Sequence, residues 1–319
     1  MKTIIVQHEL PDWADWYVDK LSDAFPEHLF RAAHTMEDAM ALARDANAFV
    51  GIGPKMTSEL VAAMPGLEWV QSLSTGVDNL LAMQALPVTV PISRCSGVHG
   101  PQMAELALTF MLALARRLPE ALQAQTTGAW HREPQPLLLG KTVCLVGLGS
   151  IAETLALYCS TLGMRVIGVS GRGNAPHVDR IYPRAQLEQA AAEADFLVVL
   201  VPLSAETRHI IGRSVLDAMK PSAFLINIAR GGCVDEAALL DALHRGSIAG
   251  AGIDVFEQEP LPADNPLRTA PNAILTPHIG GFADTYHEQC FPTVLTNMRT
   301  YLENGPDALT GAVRRCDAD

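Results

Sequence analysis

Short apolar runs of strand length recur between Gly140 and Gly281, at 142–147, 166–169, 196–201, 223–228, 249–255 and 273–276, with loops or helix-like segments between them. Runs that stay apolar position after position suit strands buried on both faces, and strands alternating with helices build a parallel, doubly wound sheet. Asp235–His244, closed by Gly246, reads as one of the intervening helices. A smaller version of the same alternation opens the chain: a strand at 2–7, a helical stretch around Trp13–Ala24, then β-like pieces at Ala48–Ile52 and Leu67–Leu73. Residues 87–100, PVTVPISRCSGVHG, read as loop. A long helix is expected from Pro101, with Met103, Leu106, Ala107, Phe110, Met111 and Leu114 on its buried face. Arg116 and Arg117 would close it, where cations meet the helix dipole. A last helix, about 284–303, has no place in the order of the second sheet and is expected to return to the first unit.

The 319 residues suffice for two domains with separate cores, and 49% hydrophobic against 18% charged residues is a globular balance. A net charge of −12 argues against nucleic acid or an anionic membrane as the main partner. Cys95, Cys144, Cys159, Cys233, Cys290 and Cys316 are scattered, without a CxxC pair or zinc spacing, and most lie in apolar runs. No metal site is expected. The apolar stretch in MKTIIVQHEL is too short for a signal peptide, and residues 103–115 are too few to span a bilayer. The expectation is a soluble, cytoplasmic protein.

Gly147, Gly149 and Ala152 form G-x-G-x-x-A between a strand and a helix, with a second strand starting at Arg165. Such a turn lets backbone approach a pyrophosphate, which the helix N-terminus then attracts. A plain structural turn would look similar, and the βαβ context favours the nucleotide. At the end of the second strand, where an NAD site carries an acidic residue, this chain has Ser170, with Arg172 two residues on. No carboxylate there repels a 2′-phosphate and a guanidinium is at hand, so NADP(H) is expected over NAD(H) unless Arg172 is merely a solvated loop residue.

Arg230, Glu259 and His278 each follow one of the apolar runs: AFLINIA, IAGAGIDVF and NAILT. Loops at the carboxyl ends of parallel strands face a common crevice. A guanidinium, a carboxylate and an imidazole gathered there can hold a small carboxylic acid and move a proton on it. With a dinucleotide alongside, this points to a dehydrogenase. Glu257 competes with Glu259 for the imidazole, and the spacing from Asp254 favours Glu259. His99 could reach the cleft but reads as structural, Asp78 as stabilising its own loop, and Trp130 as packing.

The segments LVVLVPLSAETRHIIG, MKPSAFLINIARGGCVDEAAL, AGAGIDVFEQEP, ILTPHIGG and LSTGVDNL closely resemble the D-isomer-specific 2-hydroxyacid dehydrogenases, in that family's order over essentially the whole chain. The resemblance implies a Rossmann dinucleotide-binding domain at 99–282 and a smaller flavodoxin-like substrate domain from 1–98 and 283–319. It implies that Arg230 anchors the substrate carboxylate and keto oxygen. His278 would exchange a proton with the carbonyl oxygen, and Glu259 would orient and charge that imidazole. Ser74, Thr75, Gly76 and Val77 would bind the substrate carboxylate, mainly through backbone N–H groups. Nucleotide contacts are implied at Gly147, Gly149, Ser150, Ile151, Ser170, Arg172, Val201, Pro202, Thr207, Ala229, Asp254, His278 and Gly280. A glyoxylate- or hydroxypyruvate-like 2-keto acid and a homodimer are the expectation. The alternatives are an NAD-dependent enzyme for a bulkier or phosphorylated hydroxy acid, or a dinucleotide-sensing regulator.

Overall fold

The computed structural model describes residues 1–314. Two compact units divide the chain, one from Met1–Val98 together with the chain from Asp284 onward, the other His99–Ala283.

In the first unit, strands β1 (Thr3–Gln7), β2 (Leu29–Ala33), β3 (Ala48–Gly51), β4 (Trp69–Ser72) and β5 (Ile92–Arg94) form a parallel sheet in the order β2-β1-β3-β4-β5. Side chains alternate across it. Ile4, Val6, Val50 and Trp69 pack with Tyr17 and Leu21, while Ile5, Phe49 and Val70 pack with Leu60 and Leu80. The last helix, Tyr286–Asn304, belongs to this unit: Tyr286, Cys290, Val294 and Met298 fill the Trp69 side of the sheet. The Tyr286 hydroxyl donates to the Leu73 carbonyl, which fixes the start of the loop after β4.

Residues 87–100 are not all loop, because Ile92–Arg94 forms the edge strand β5, bonded to β4 and bridged by Val313 on its other side. Three residues between prolines and a Gly-containing turn carry too little pattern to read as a strand. Its pairing comes from its neighbours.

In the second unit, β6 (Thr142–Val146), β7 (Arg165–Val169), β8 (Arg180–Tyr182), β9 (Phe196–Val199), β10 (Phe224–Asn227), β11 (Gly250–Ile253) and β12 (Ala273–Leu275) are all parallel, in the order β12-β11-β10-β9-β6-β7-β8. Both faces are covered, which is why these strands read as unbroken apolar runs. Val143, Leu145 and Val198 face the helices Gly100–Ala115 and Ser150–Thr161; Cys144, Val146 and Val199 face the opposite layer with Val215 and Leu239. Each such side chain contributes about 1.5–3 kcal/mol on leaving water.

The long helix is shorter than expected. It ends at Ala115, Arg117 takes a left-handed backbone (φ 48°), and a further helix, Leu118–Thr127, follows. Arg116 therefore caps the helix, and neither arginine lies in its last turn. Met103, Ala107, Phe110, Met111 and Leu114 are buried as expected, with Leu106 half-buried. Trp130 does not pack: it is 91% exposed, on a segment without helix or strand that follows Leu118–Thr127. Cys95, Cys144, Cys159, Cys233 and Cys290 are buried free thiols, while Cys316 lies outside the described residues. Among the described residues no helix is long and apolar enough to cross a membrane, and no group of three or more His, Cys, Asp or Glu could hold a metal ion.

Candidate active site

Strands β10, β11 and β12 are neighbours, so the loops leaving their carboxyl ends lie side by side. Arg230 follows β10, Asp254 and Glu259 follow β11, and His278 follows β12. Asn227, at the end of β10, is 1% exposed and shapes the first loop. Its Oδ1 accepts from Ala229 N at 3.1 Å and its Nδ2 donates to Arg230 O at 3.1 Å. Arg230 Nη1 donates to Ala229 O at 2.7 Å, which aims the guanidinium. Gly231 is needed here because a Cβ would stand 1.9 Å from the Phe256 carbonyl carbon; the loop after β10 runs directly against the backbone that leads to Glu259.

His278 has a left-handed backbone, φ 55°. A non-glycine residue holds that conformation, at a cost of about 1–3 kcal/mol, only where its surroundings impose it. Asp254 does so. Its carboxylate, 1% exposed, accepts from Thr276 Oγ1 at 2.6 Å, Ile279 N at 2.9 Å and Gly280 N at 2.9 Å, and its carbonyl accepts from His278 N at 2.9 Å. A buried carboxylate satisfied by three donors fixes the whole turn from Thr276 to Gly280.

The imidazole it presents meets a carboxylate. His278 Nδ1 lies 2.6 Å from Glu259 Oε2, and Glu259 Oε1 accepts from Phe256 N at 2.9 Å. The hydrogen bond to Glu259 raises the His278 pKa above the ordinary imidazole value; burial and Arg230 oppose it, while the charges of Glu259 and Asp254 add to it. For Glu259, burial pushes the carboxyl up, but the hydrogen bonds from His278 and Phe256 and the positive charges of His278 and Arg230 override it, so the net shift is downward. Both shifts favour the charged forms, an imidazolium beside a carboxylate.

The glycine turn expected to meet the nucleotide follows β6. Gly147 has φ 101°, and a Cβ there would stand 2.9 Å from Val201 Cγ1 and 3.0 Å from Val201 N, so this turn passes against the segment leaving β9. Between β6 and β9 the strand order reverses, the position where open α/β sheets bind ligands. The helix Ser150–Thr161 has Gly149 as N-cap and no side-chain cap, and a Cβ on Gly149 would meet nothing within 4 Å. Open space and uncapped N–H groups suit a pyrophosphate. Ser170 follows β7, and its Oγ accepts from Arg172 N at 3.1 Å. The Thr207 hydroxyl is occupied in its own turn, donating to Pro202 O at 2.6 Å and accepting from Ser204 N at 2.7 Å. Thr207 therefore shapes the segment that carries Val201 and Pro202.

In the first unit, the loop Ser74–Val77 follows β4. Ser74 Oγ donates to Gly76 O at 2.9 Å, Thr75 Oγ1 to Cys95 O at 2.6 Å, and Val77 is buried. The Ser74 hydroxyl folds the loop on itself, and the Thr75 hydroxyl ties it to the segment after β5. Asp78 opens the short helix Asp78–Ala82. His99 stands at the N-cap of Gly100–Ala115, its Cδ2 2.9 Å from where a Gly281 Cβ would lie. Burial, then the charge of Arg230, lowers its pKa. Asn227 and Thr276 escaped the sequence reading; the signal was a polar residue at the end of an otherwise apolar run.

Residues 108–280 match the NAD-binding domain of the D-isomer-specific 2-hydroxyacid dehydrogenases. The chain is 32% identical to glyoxylate/hydroxypyruvate reductase B of Salmonella newport (strain SL254), over 98% of this chain and 96% of that protein. It is 34% identical over 77% of its length to D-3-phosphoglycerate dehydrogenase of Methanocaldococcus jannaschii, of which it spans 48%. Among crystal structures, a D-isomer-specific 2-hydroxyacid dehydrogenase family protein from Aeromonas salmonicida superposes with a TM-score of 0.89 at 31% identity, covering 98% of this chain and 99% of the other. An NADPH-dependent glyoxylate/hydroxypyruvate reductase from Sinorhizobium meliloti, in complex with NADP and sulfate, gives 0.83 at 26% identity over the full length of both chains. The chain belongs to the D-isomer-specific 2-hydroxyacid dehydrogenase family, whose members are nicotinamide-dinucleotide-dependent oxidoreductases.

Proposed function

We propose that the protein reduces a small 2-keto acid, of the glyoxylate or hydroxypyruvate type, to the D-2-hydroxy acid with NADPH. The observation that carries this reading is the 2.6 Å pair of His278 and Glu259, with the positive charge of Arg230 acting on both. Bound NADPH supplies a hydride. Arg230 holds the substrate carboxylate and keto oxygen through its planar fork. With Nδ1 committed to Glu259, Nε2 of His278 gives its proton to the carbonyl oxygen as the carbonyl carbon is reduced, and takes it back in the reverse direction. Glu259 keeps the imidazole charged and oriented; Asp254 keeps the turn that carries it in place.

The nucleotide is held at Gly147, Gly149, Ser150 and Ile151, along Val201 and Pro202, and near Ala229 and Gly280. The NADPH preference rests on Ser170 and Arg172, and two NADPH-dependent relatives support it. We place the protein in the cytoplasm, where buried free thiols persist, as a homodimer. Leu118, Leu122, Trp130, Leu137 and Leu139 are exposed along one stretch of the second unit, an apolar surface of the kind that association covers.

The test is NADPH and NADH oxidation against glyoxylate, hydroxypyruvate and a few longer 2-keto acids. Preferential turnover of the two small acids with NADPH is expected. A preference for NADH with a phosphorylated or bulky acid would replace this reading, and no turnover with any acid would overturn it.

A further inference from the structure

Arg172 already has an anionic partner. Its Nη1 stands 3.5 Å from Glu153 Oε1, and the two side chains are 62% and 45% exposed. Glu153 lies in the first turn of Ser150–Thr161, the helix that opens the nucleotide loop. Nearby arginines make closer contacts, Arg165 with Glu193 at 2.9 Å and Arg184 with Glu206 at 2.8 Å. A Cβ on Gly171 or Gly173 would meet nothing within 4 Å, so there is open space on either side of Arg172.

We propose that Glu153 sets the nucleotide preference, by competing with the 2′-phosphate of NADPH for the guanidinium of Arg172. This rests on the NADPH reading above. A phosphate carries nearly two charges and three acceptor oxygens, and it can engage the guanidinium fork at two points. A carboxylate 3.5 Å away on a solvated surface is weakly held. Phosphate therefore takes the arginine, but Glu153 stays near enough to repel it. The 2′-hydroxyl of NADH carries no charge and does not feel that repulsion. Glu153 thus weakens NADPH binding selectively and narrows the gap between the two nucleotides.

Direct binding of NADPH and NADH, followed by nucleotide fluorescence without turnover, tests this. In Glu153→Gln, NADPH should bind about 3–10-fold tighter, with a larger gain at low ionic strength, while NADH changes by less than about twofold. Arg172→Ala should weaken NADPH about tenfold or more and spare NADH. In that background Glu153→Gln should change the ratio of the two affinities less than it does in the wild type, because only the competition for the guanidinium is lost. Equal tightening of both nucleotides in Glu153→Gln would overturn the proposal, because Glu153 would then act on the shared pyrophosphate. So would no change in either nucleotide while Arg172→Ala still weakens NADPH, and in that case the NADPH reading survives. If Arg172→Ala leaves NADPH binding intact, the NADPH reading fails and takes this inference with it.

Discussion

His209 Nε2 meets Glu257 Oε1, and His278 Nδ1 meets Glu259 Oε2, each at 2.6 Å. The two pairs draw their carboxylates from one loop. Both histidines have left-handed backbones, φ 50° and 55°, and the side chains are comparably open: 42% and 40% exposed in the first pair, 47% and 34% in the second. The difference lies in what surrounds them. Glu259 has its second oxygen bonded to Phe256 N, the turn of His278 is clamped by Asp254, and the charge of Arg230 acts on both members. Glu257 instead donates its own N–H to Glu236 Oε1 at 2.7 Å, and its pair with His209 ties the loop after β9 to the loop after β11. A short imidazole–carboxylate contact is common to both. A fixed carboxylate, a fixed turn and a guanidinium whose charge acts on both members are not.

The largest effect that separates the pairs is on turnover. His278→Ala should lower kcat by roughly 10²–10⁴-fold while the nucleotide still binds, since a proton donor is lost and the glycine turn after β6 is untouched. His209→Ala should stay within roughly threefold of wild type, as removal of an exposed pair does. Equal losses in steady-state kinetics would erase the distinction.

A third histidine sharpens the contrast by titrating the other way. His8 is 1% exposed, its Nδ1 accepts from Leu10 N at 3.0 Å, and burial lowers its pKa from 6.5 to about 4. Glu9 opposes that shift, while Lys55 and His287 add to it. Because the folded pKa lies below the unfolded one, the stabilisation is fully present above pH 6.5 and is lost as pH falls toward 4. The loss amounts to about 3 kcal/mol. Thermal melts of wild type and His8→Asn between pH 7 and 4 read it directly. Wild type should lose more stability on acidification than the variant, and parallel curves would contradict the assignment.

Legibility in the sequence followed the same division between pattern and surroundings. AFLINIA and NAILT announced β10 and β12 because strands buried on both faces must be apolar throughout, and the polar residues just past them marked the crevice. LFRAA, ISR and RIY, which form β2, β5 and β8, are edge strands of three to five residues, two of them with an arginine at one end and one with an arginine at its centre. Their pairing is decided by neighbours distant in sequence, so no local pattern shows it. Trp130 looked like core because tryptophan usually is, yet its segment leaves the unit's own core behind. Arg230, Glu259 and His278 were legible as residue types at strand ends. The Asp254 clamp was not, because Asp254, Thr276 and Gly280 meet only across β11 and β12. Nor was the sharing of carboxylates: spacing favoured Glu259 for His278, but the partner of Glu257 is 48 residues away.

That sharing gives the finest discrimination between the pairs. The His278 pKa is raised, first by its hydrogen bond to Glu259, so the protonated ring persists above pH 6.5. The reductive reaction needs that proton. Its kcat/KM should be flat at low pH and fall by about one decade per pH unit above the His278 pKa, while the oxidative direction shows the mirror image. Glu259→Gln keeps the shape and removes the charge, so the His278 pKa drops and the reductive limb moves to lower pH. The loss should be several-fold on the alkaline side of the limb and vanish well on its acid side. Glu257→Gln should leave the limb where it is. If Glu257→Gln moves the profile and Glu259→Gln does not, the imidazole that titrates in catalysis is not the one at 278.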